Sequence, residues 1–316
     1  MKAIVFDEYG DASVLKMADV AIPEPKDDEI LIKNYASGLN PLDWKLRSGQ
    51  MAKFMPLKFP AISGMEPAGI VERVGKNVTT LQVGDHVIGF QAVPDMGSYS
   101  AYSIVKDTSA AKIPNNMKFE IGATIPVTGI TAYQALFGSL KVKSGDRVLI
   151  QGGAGAVALF AIQLAKNAGA TVYAAASPDH NDFLKKIGAT AVYDYHDAAQ
   201  FSKLEKFDKI LNVIGGRNFE DSFALVKPGG VIVTTNGNPG NQEDKVASAK
   251  YGIHALSFRA QVNPQDLATL IKAVSDGQVV PAIDSIYDFK LADVQAAQNL
   301  SQAGHVTGKI VIKING

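Results

Sequence analysis

Three glycines, Gly152, Gly153 and Gly155, stand between a short β-forming run, Arg147-Val148-Leu149-Ile150, and an apolar run with helical spacing at Val157, Phe160, Ala161, Leu164 and Ala165. The pattern reads as strand, glycine turn, helix. Glycine permits positive φ and lets a ligand approach the backbone closely. A helix N-terminus behind such a turn offers unpaired N–H groups and a positive dipole end, which together hold a diphosphate. Glycines alone are weak evidence, but the flanking strand and helix are the context that a dinucleotide site requires. Gly152, Gly153, Ala154, Gly155, Ala156 and Val157 are therefore the diphosphate-binding candidates. Counted as GxxGxxG, the fingerprint ends on Ala158. That position serves helix–strand packing, where Ala can replace Gly.

The next strand ends Ala174-Ala175-Ala176-Ser177. An NAD site usually places Asp or Glu here to accept from the ribose 2′-OH. No acid stands at this tip, and a small hydroxyl accommodates a 2′-phosphate, so Ser177 points to NADP(H). Asp179 would oppose a phosphate if it faced inward, while His180, Lys185 and Lys186 are the nearby cations. The competing reading makes Ser177 a helix cap before Pro178. Asn212-Val213 and Asn236-Gly237 end two further strands, at positions that line the crevice of a doubly wound sheet or are ordinary strand-end polarity.

These residues need a scaffold, and the texture of the chain supplies one. At 316 residues it has room for two domains and a large core. Lys+Arg and Asp+Glu are both 31, so nothing in the charge balance favours nucleic acid or an anionic membrane. The absence of cysteine removes disulfides, thiolate zinc sites and thiol nucleophiles, and fits a reducing cytosol. MKAIVFDEYG has no apolar signal-peptide core, which adds to a cytoplasmic expectation. The one membrane-like run, Val148 to Ala165, is broken by two glutamines and three glycines.

Residues 1–123 carry many short strands broken by prolines and glycines, the pattern of a compact, barrel-like β domain. A βαβα alternation follows, which means a parallel sheet with helices on both faces. After about Ser257 the alternation stops, and the remaining helices and strands suit a return to the first domain. The expected class is thus α/β: a β-barrel-type domain from 1–123 and 259–316, and a Rossmann-type, NADP-binding domain from 124–258.

Six ordered segments carry a resemblance. GLNPLDWKLRSG, SGMEPAGIVERVGKNVTTLQVGDHVIG, GSYSAYSIV, IPVTGITAYQAL, LVKPGGVIV and GHVTGKIVI are similar to landmarks of the zinc-independent medium-chain dehydrogenases/reductases, in the quinone oxidoreductase-like branch. The resemblance implies that the first domain is GroES-like and catalytic. It places Asn40 at the nicotinamide end of the cleft, as an amide donor to the carbonyl oxygen. Asp43, Lys45 and Arg47 share the Asn40 loop, with Lys45 a candidate to stabilise an enolate or else a solvated surface lysine. Thr128 is expected on the nicotinamide side of the cofactor and Tyr195 near the adenine or its phosphates. Trp44 is expected near the cleft, and Phe54 and Phe59 line an apolar pocket or pack in the core.

The implied activity is metal-free hydride transfer from NADPH to quinones. The alternatives are reduction of an enone or 2-alkenal, or an NADPH-binding sensor or structural protein with little catalysis. The implied partners are a small carbonyl or quinone substrate and a second copy of the chain, with no nucleic acid and no membrane. In the zinc alcohol dehydrogenases of the wider family, Cys and His stand where this chain has Asn40 and Met65. Asn is a poor zinc ligand and Met suits softer metals, and Glu66 is left to orient the cleft through hydrogen bonds. Elemental analysis of the purified protein is expected to show no stoichiometric zinc. One bound equivalent would overturn the reading of Asn40 and Met65.

Overall fold

The computed structural model describes residues 1–197, 200–201, 203–237 and 242–315. The chain divides into two compact units. The first comprises Met1–Val127, Val262–Ser275 and Pro281–Gly316; the second comprises Thr128–Gln261 and Asp276–Val280. The architecture is α/β, a mainly antiparallel β unit and a unit built on a Rossmann-type parallel sheet.

In the first unit the strand Glu29–Leu39 is the hub. Its Ile30, Leu31 and Ile32 are completely buried. It pairs antiparallel with Lys309–Lys313, with Glu66–Val74 and with Tyr102–Lys106. His86–Gly89, Ala110–Lys112 and Ile283–Asp288 extend the same sheet. The register sets Gly38 opposite both Glu66 and Val311, and Leu39 opposite Ile310. The C-terminal end of the hub therefore meets the N-terminal ends of two flanking strands, which brings Asn40, Glu66 and Lys309 to one place. A smaller sheet of Lys16–Asp19, Lys2–Phe6 and Ala61–Ile62 completes the strands of this unit. Ile4, Phe6, Leu39, Tyr99, Ile310 and Ile312 share one core with Val294 and Ala297 of the helix Leu291–Ala303.

In the second unit six parallel strands run in the order Ala191–Asp194, Thr171–Ala176, Arg147–Gln151, Phe207–Asn212, Val226–Thr234, His254–Ser257. The order reverses beside Arg147–Gln151, so the carboxyl end of that strand is the topological switch point, where such sheets bind ligands. The helix Ala156–Asn167 follows it, with its residues from Ala158 to Ala165 buried. Among the described residues no helix is long and apolar enough to cross a membrane.

Several elements differ from expectation in ways that have local causes. The helix expected over 129–140 starts earlier, at Pro126, and turns π-helical over Gln134–Ser139; proline lacks only an N–H that the first turn leaves unused. The helix expected from Phe219 runs instead over Gly216–Asp221 and tightens to a 3₁₀ turn at Ser222–Leu225, ahead of the strand Val226–Thr234. A Cβ on Gly38 would lie 2.3 Å from the Ala123 carbonyl oxygen, 2.6 Å from Glu66 Oε2 and 2.8 Å from Lys309 Cε. Gly38→Ala is expected to destabilise the protein by about 2 kcal/mol or more through overpacking. A thermal-melt comparison with the wild type checks it, and an unchanged Tm would mean that this packing is loose.

Candidate active site and cofactor crevice

The first-unit site begins with a helix where a loop was expected. Asn40 has extended φ and ψ, Pro41 occupies the first helical position, and the chain is α-helical over Pro41–Arg47. The Asn40 N–H donates to Asp43 Oδ2 at 2.7 Å, and the Asp43 N–H donates to the Asn40 carbonyl at 3.0 Å. An acidic side chain three residues into a helix, accepting from the residue before it, satisfies an N–H that would otherwise have no partner. Arg47 anchors the other end. It is fully buried, with Nε donating to Gln298 Oε1 at 2.6 Å and Nη1 to the Gly10 carbonyl at 2.9 Å. Lys45, on the same helix, is half-buried with its ammonium 5.7 Å from the centre of the Trp44 ring. Burial lowers its pKa. Trp44 Nε1 is buried and has no hydrogen-bond partner among the described residues. Phe59 packs edge-on against Phe6 and Tyr9, whereas Phe54 is 56% exposed.

The Asn40 amide sits in a buried polar cluster. Its Nδ2 donates to Glu66 Oε2 at 2.6 Å, and its Oδ1 accepts from Lys309 Nζ at 2.6 Å. Lys309 Nζ also donates to Glu66 Oε2 at 2.5 Å, and the Val127 N–H donates to Glu66 Oε1 at 2.5 Å. Glu66 is fully buried and Lys309 is 3% exposed. Below them, the Tyr99 hydroxyl donates to Asp43 Oδ2 at 3.2 Å, while Asp43 Oδ1 is buried with no partner among the described residues. Burial pushes the Asp43 carboxyl up to about 7, against the pull of the Asn40 N–H and the Lys309 ammonium. Tyr99 is raised well above its ordinary value by burial and then by Asp43. Such a cluster can orient an amide and leave one of its N–H groups for a ligand.

In the second unit the glycine turn is tight and leads directly into a helix. Gly152 has φ +73°, and a Cβ there would lie 2.6 Å from Val213 Cγ2. The Gly153 N–H donates to the Ala175 carbonyl at 2.8 Å, which ties the turn to the neighbouring strand. Gly155 is the N-cap of Ala156–Asn167 and brings no capping side chain, so Ala154, Ala156 and Val157 flank a bare helix N-terminus. Ala158 is completely buried, as a packing position would be.

Ser177 is partly exposed and precedes the 3₁₀ turn Pro178–His180, but its side chain makes no capping hydrogen bond. Asp179 is exposed. Asn212 is buried and its side chain is fully engaged: Nδ2 donates to Gln151 Oε1 and Asn218 Oδ1, and Oδ1 accepts from the Ile214 and Gly215 N–H groups. Asn236 Nδ2 donates to the Val213 carbonyl at 2.8 Å. These two asparagines shape the loop around Val213 and bring it against Gly152. Tyr195 is 51% exposed, with its ring centre 3.9 Å from that of His196 and the two planes tilted by 35°. Thr128 is buried, at 2% exposure.

The structure therefore gathers the glycine turn with Val213, Asn212 and Asn236 in the second unit, and Asn40 with Glu66 in the first. Asp43, expected only as a neighbour in the Asn40 loop, joins the first-unit cluster, as do Lys309 and Tyr99, for which the sequence suggests no role. The Lys309 signal was faint: one lysine opening an apolar strand, with partners 243 and 269 positions away. Asp43 could have been found from Asn-Pro-Leu-Asp, which carries a cap, a proline at the first helical position and an acid at the third.

Asp43 binds its proton more tightly folded than unfolded, so its burial costs nothing below the unfolded carboxylate pKa near 4. The cost grows as pH rises and levels off above about 7. Asp43→Asn keeps an acceptor for Asn40 and Tyr99 and is expected to flatten the loss of stability between pH 4 and 7. Thermal melts of both proteins across that range check this, and parallel pH profiles would refute it.

Comparison with known proteins identifies the lineage. Residues 26–115 match the alcohol dehydrogenase GroES-like domain model, and residues 187–312 match the zinc-binding dehydrogenase model. The chain is 31% identical to the quinone oxidoreductase of Pongo abelii, covering 99% of this chain and 97% of that one. It is 33% identical to the 2-methylene-furan-3-one reductase of Solanum lycopersicum, covering 99% of this chain and 79% of that one. Among solved structures, the quinone oxidoreductase from Coxiella burnetii superposes with a TM-score of 0.90 at 32% identity, covering 100% and 99% of the two chains. A mycobacterial structure complexed with NADPH gives 0.86 at 28% identity, covering 99% of each chain. The residues at the first-unit site do not suit the zinc of the second model's description. There is no cysteine, no cluster of three metal-binding side chains exists among the described residues, and the Glu66 and Asn40 oxygens already accept from a lysine. The chain belongs to the quinone oxidoreductase-like, zinc-independent branch of the medium-chain dehydrogenases/reductases.

Proposed function

We propose that this chain is an NADPH-dependent oxidoreductase that reduces quinones. The observation that carries the reading is the bare helix N-terminus behind the positive-φ Gly152, at the switch point of a six-stranded parallel sheet. Backbone N–H groups of Ala154, Ala156 and Val157 at the helix N-terminus are suited to a diphosphate, while Gly152, Gly153 and Gly155, two of whose N–H groups hold the turn together, let the backbone approach it closely. Ser177 leaves the strand tip free of an acid and its hydroxyl uncommitted to capping, which suits a 2′-phosphate. NADPH supplies the hydride when bound, and the protein supplies orientation and electrostatics. Thr128 and Tyr195 are assigned to the nicotinamide and adenine ends, and Asn212, Val213 and Asn236 to the crevice wall.

Adding hydride to a quinone places negative charge on a carbonyl oxygen, and a site gains most from a fixed donor aimed at that oxygen. Asn40 is assigned that role, through the amide N–H not given to Glu66. Lys45 is assigned as a cation for the same charge, against the lowering of its pKa by partial burial. The similarity to a 2-methylene-furan-3-one reductase supports a second reading, reduction of an enone C=C, which develops charge on the same kind of oxygen. The assembly is assigned as a homodimer and the compartment as the cytoplasm.

NADPH and NADH consumption against a panel of quinones and enones tests the proposal. NADPH-dependent turnover of quinones, with NADH at least about tenfold poorer in kcat/KM, is expected. Tight NADPH binding without turnover of any acceptor would leave a nucleotide-binding protein and no enzyme. Equal use of NADH would remove the role given to Ser177.

A further inference from the structure

We propose that Lys309 and Glu66 are positioning residues that hold the Asn40 amide in one of its two orientations. The proposal rests on the reading of Asn40 as the donor to the acceptor's oxygen. An asparagine amide turned by 180° about its last torsion exchanges a donor for an acceptor at nearly the same place. Toward a developing oxyanion the first orientation stabilises and the second repels.

The geometry chooses between them. Lys309 Nζ lies 2.6 Å from Asn40 Oδ1, and Glu66 Oε2 lies 2.6 Å from Nδ2. The turned amide would set an NH₂ group against an ammonium and an oxygen against a carboxylate. Both contacts are repulsive, and all the partners are buried, where little water screens them. One Nδ2–H is held by Glu66, and the other has no partner among the described residues. That second N–H is the one presented to a ligand. The ammonium on Oδ1 also polarises the amide and strengthens its remaining donor.

The clamp is rigid because its parts stand on sheet ends. Glu66 and Lys309 open their strands, and Asn40 directly follows the hub strand that both flank. Gly38, lacking a side chain, allows Lys309 Cε and Glu66 Oε2 to close over the hub.

Removing one charge would strand the other, so the test removes both. In Lys309→Met with Glu66→Gln, the glutamine amide can donate to or accept from Asn40, and both orientations become available. The double variant is expected to fold and to keep its Kd for NADPH. Its kcat for a quinone should fall about tenfold or more, with acceptor KM much less changed. Adding Asn40→Ala to it should cost little further, whereas Asn40→Ala alone should cost as much or more. An undiminished kcat, or losses that add in full, would overturn the clamp.

Hydrogen exchange of the Asn40 side-chain amide, followed by ¹⁵N NMR, decides the clamp without turnover. The wild type should show one slow and one fast proton. Equal exchange of the two in the wild type would refute the proposal, whether or not the double variant folds. A wild type that turns over no acceptor, or an Asn40→Ala variant with full kcat, would instead remove the functional reading of Asn40, and the exchange measurement would still judge the clamp.

Discussion

A carboxylate and an ammonium with almost no access to water meet at Glu66 and Lys309. Stripping two such ions of solvent costs several kcal/mol each, and their attraction repays it only when the remaining hydrogen-bonding groups are satisfied. Much of the first unit can be read as meeting that condition. The Val127 N–H serves one Glu66 oxygen, and Asn40 Nδ2 serves the other. The strand register must bring all of them to one end of the sheet. A one-residue slip of the Glu66–Val74 strand would turn the carboxylate to the opposite face. The pair therefore specifies the register more sharply than the surrounding isoleucines and valines, which tolerate exchange with one another.

The second unit follows a different rule. Its polar groups at the switch point are neutral and are spent on the chain itself. Asn212 uses both ends of its amide to hold the bend at Ile214 and Gly215, while Gln151 Oε1 accepts from Asn212 and from the Ser222 hydroxyl. The result is a preset wall beside a turn that is itself tied down, with the Gly153 N–H given to Ala175 and the Gly155 N–H to Gly152. One unit thus offers an oriented side chain and the other an oriented backbone.

How much of this was legible in the sequence depended on the range of the interactions. The strand–turn–helix around Gly152 is local, and its residues declare it within twenty positions. The parallel alternation was equally readable from periodicity and turn residues. The helix at Pro41 was not, because the many prolines of that region suggested loops, and the decisive signal was the reach of Asp43 back to Asn40. Lys309 lies in the segment GHVTGKIVI, whose pattern implies no role for it. A lysine at a strand start is ordinarily solvated, and only the pairing of distant strands shows that this one is buried. The pKa of Asp43 was out of reach for the same reason, since it is set by burial beneath residues remote in the chain.

The distance between the charged partners has a consequence for how the protein is made. Glu66 leaves the ribosome 243 residues ahead of Lys309. The second unit's strands from Arg147 to Ser257 are all synthesised in that interval and can pair as they emerge. The first unit cannot close its sheet over Glu66 during that time without burying a lone carboxylate. Its N-terminal segment must wait, hydrated at that end, for the strand that carries the counter-ion. A nascent chain stalled between the two would then hold the paired strands of the second unit while the first unit's sheet stayed open at Glu66.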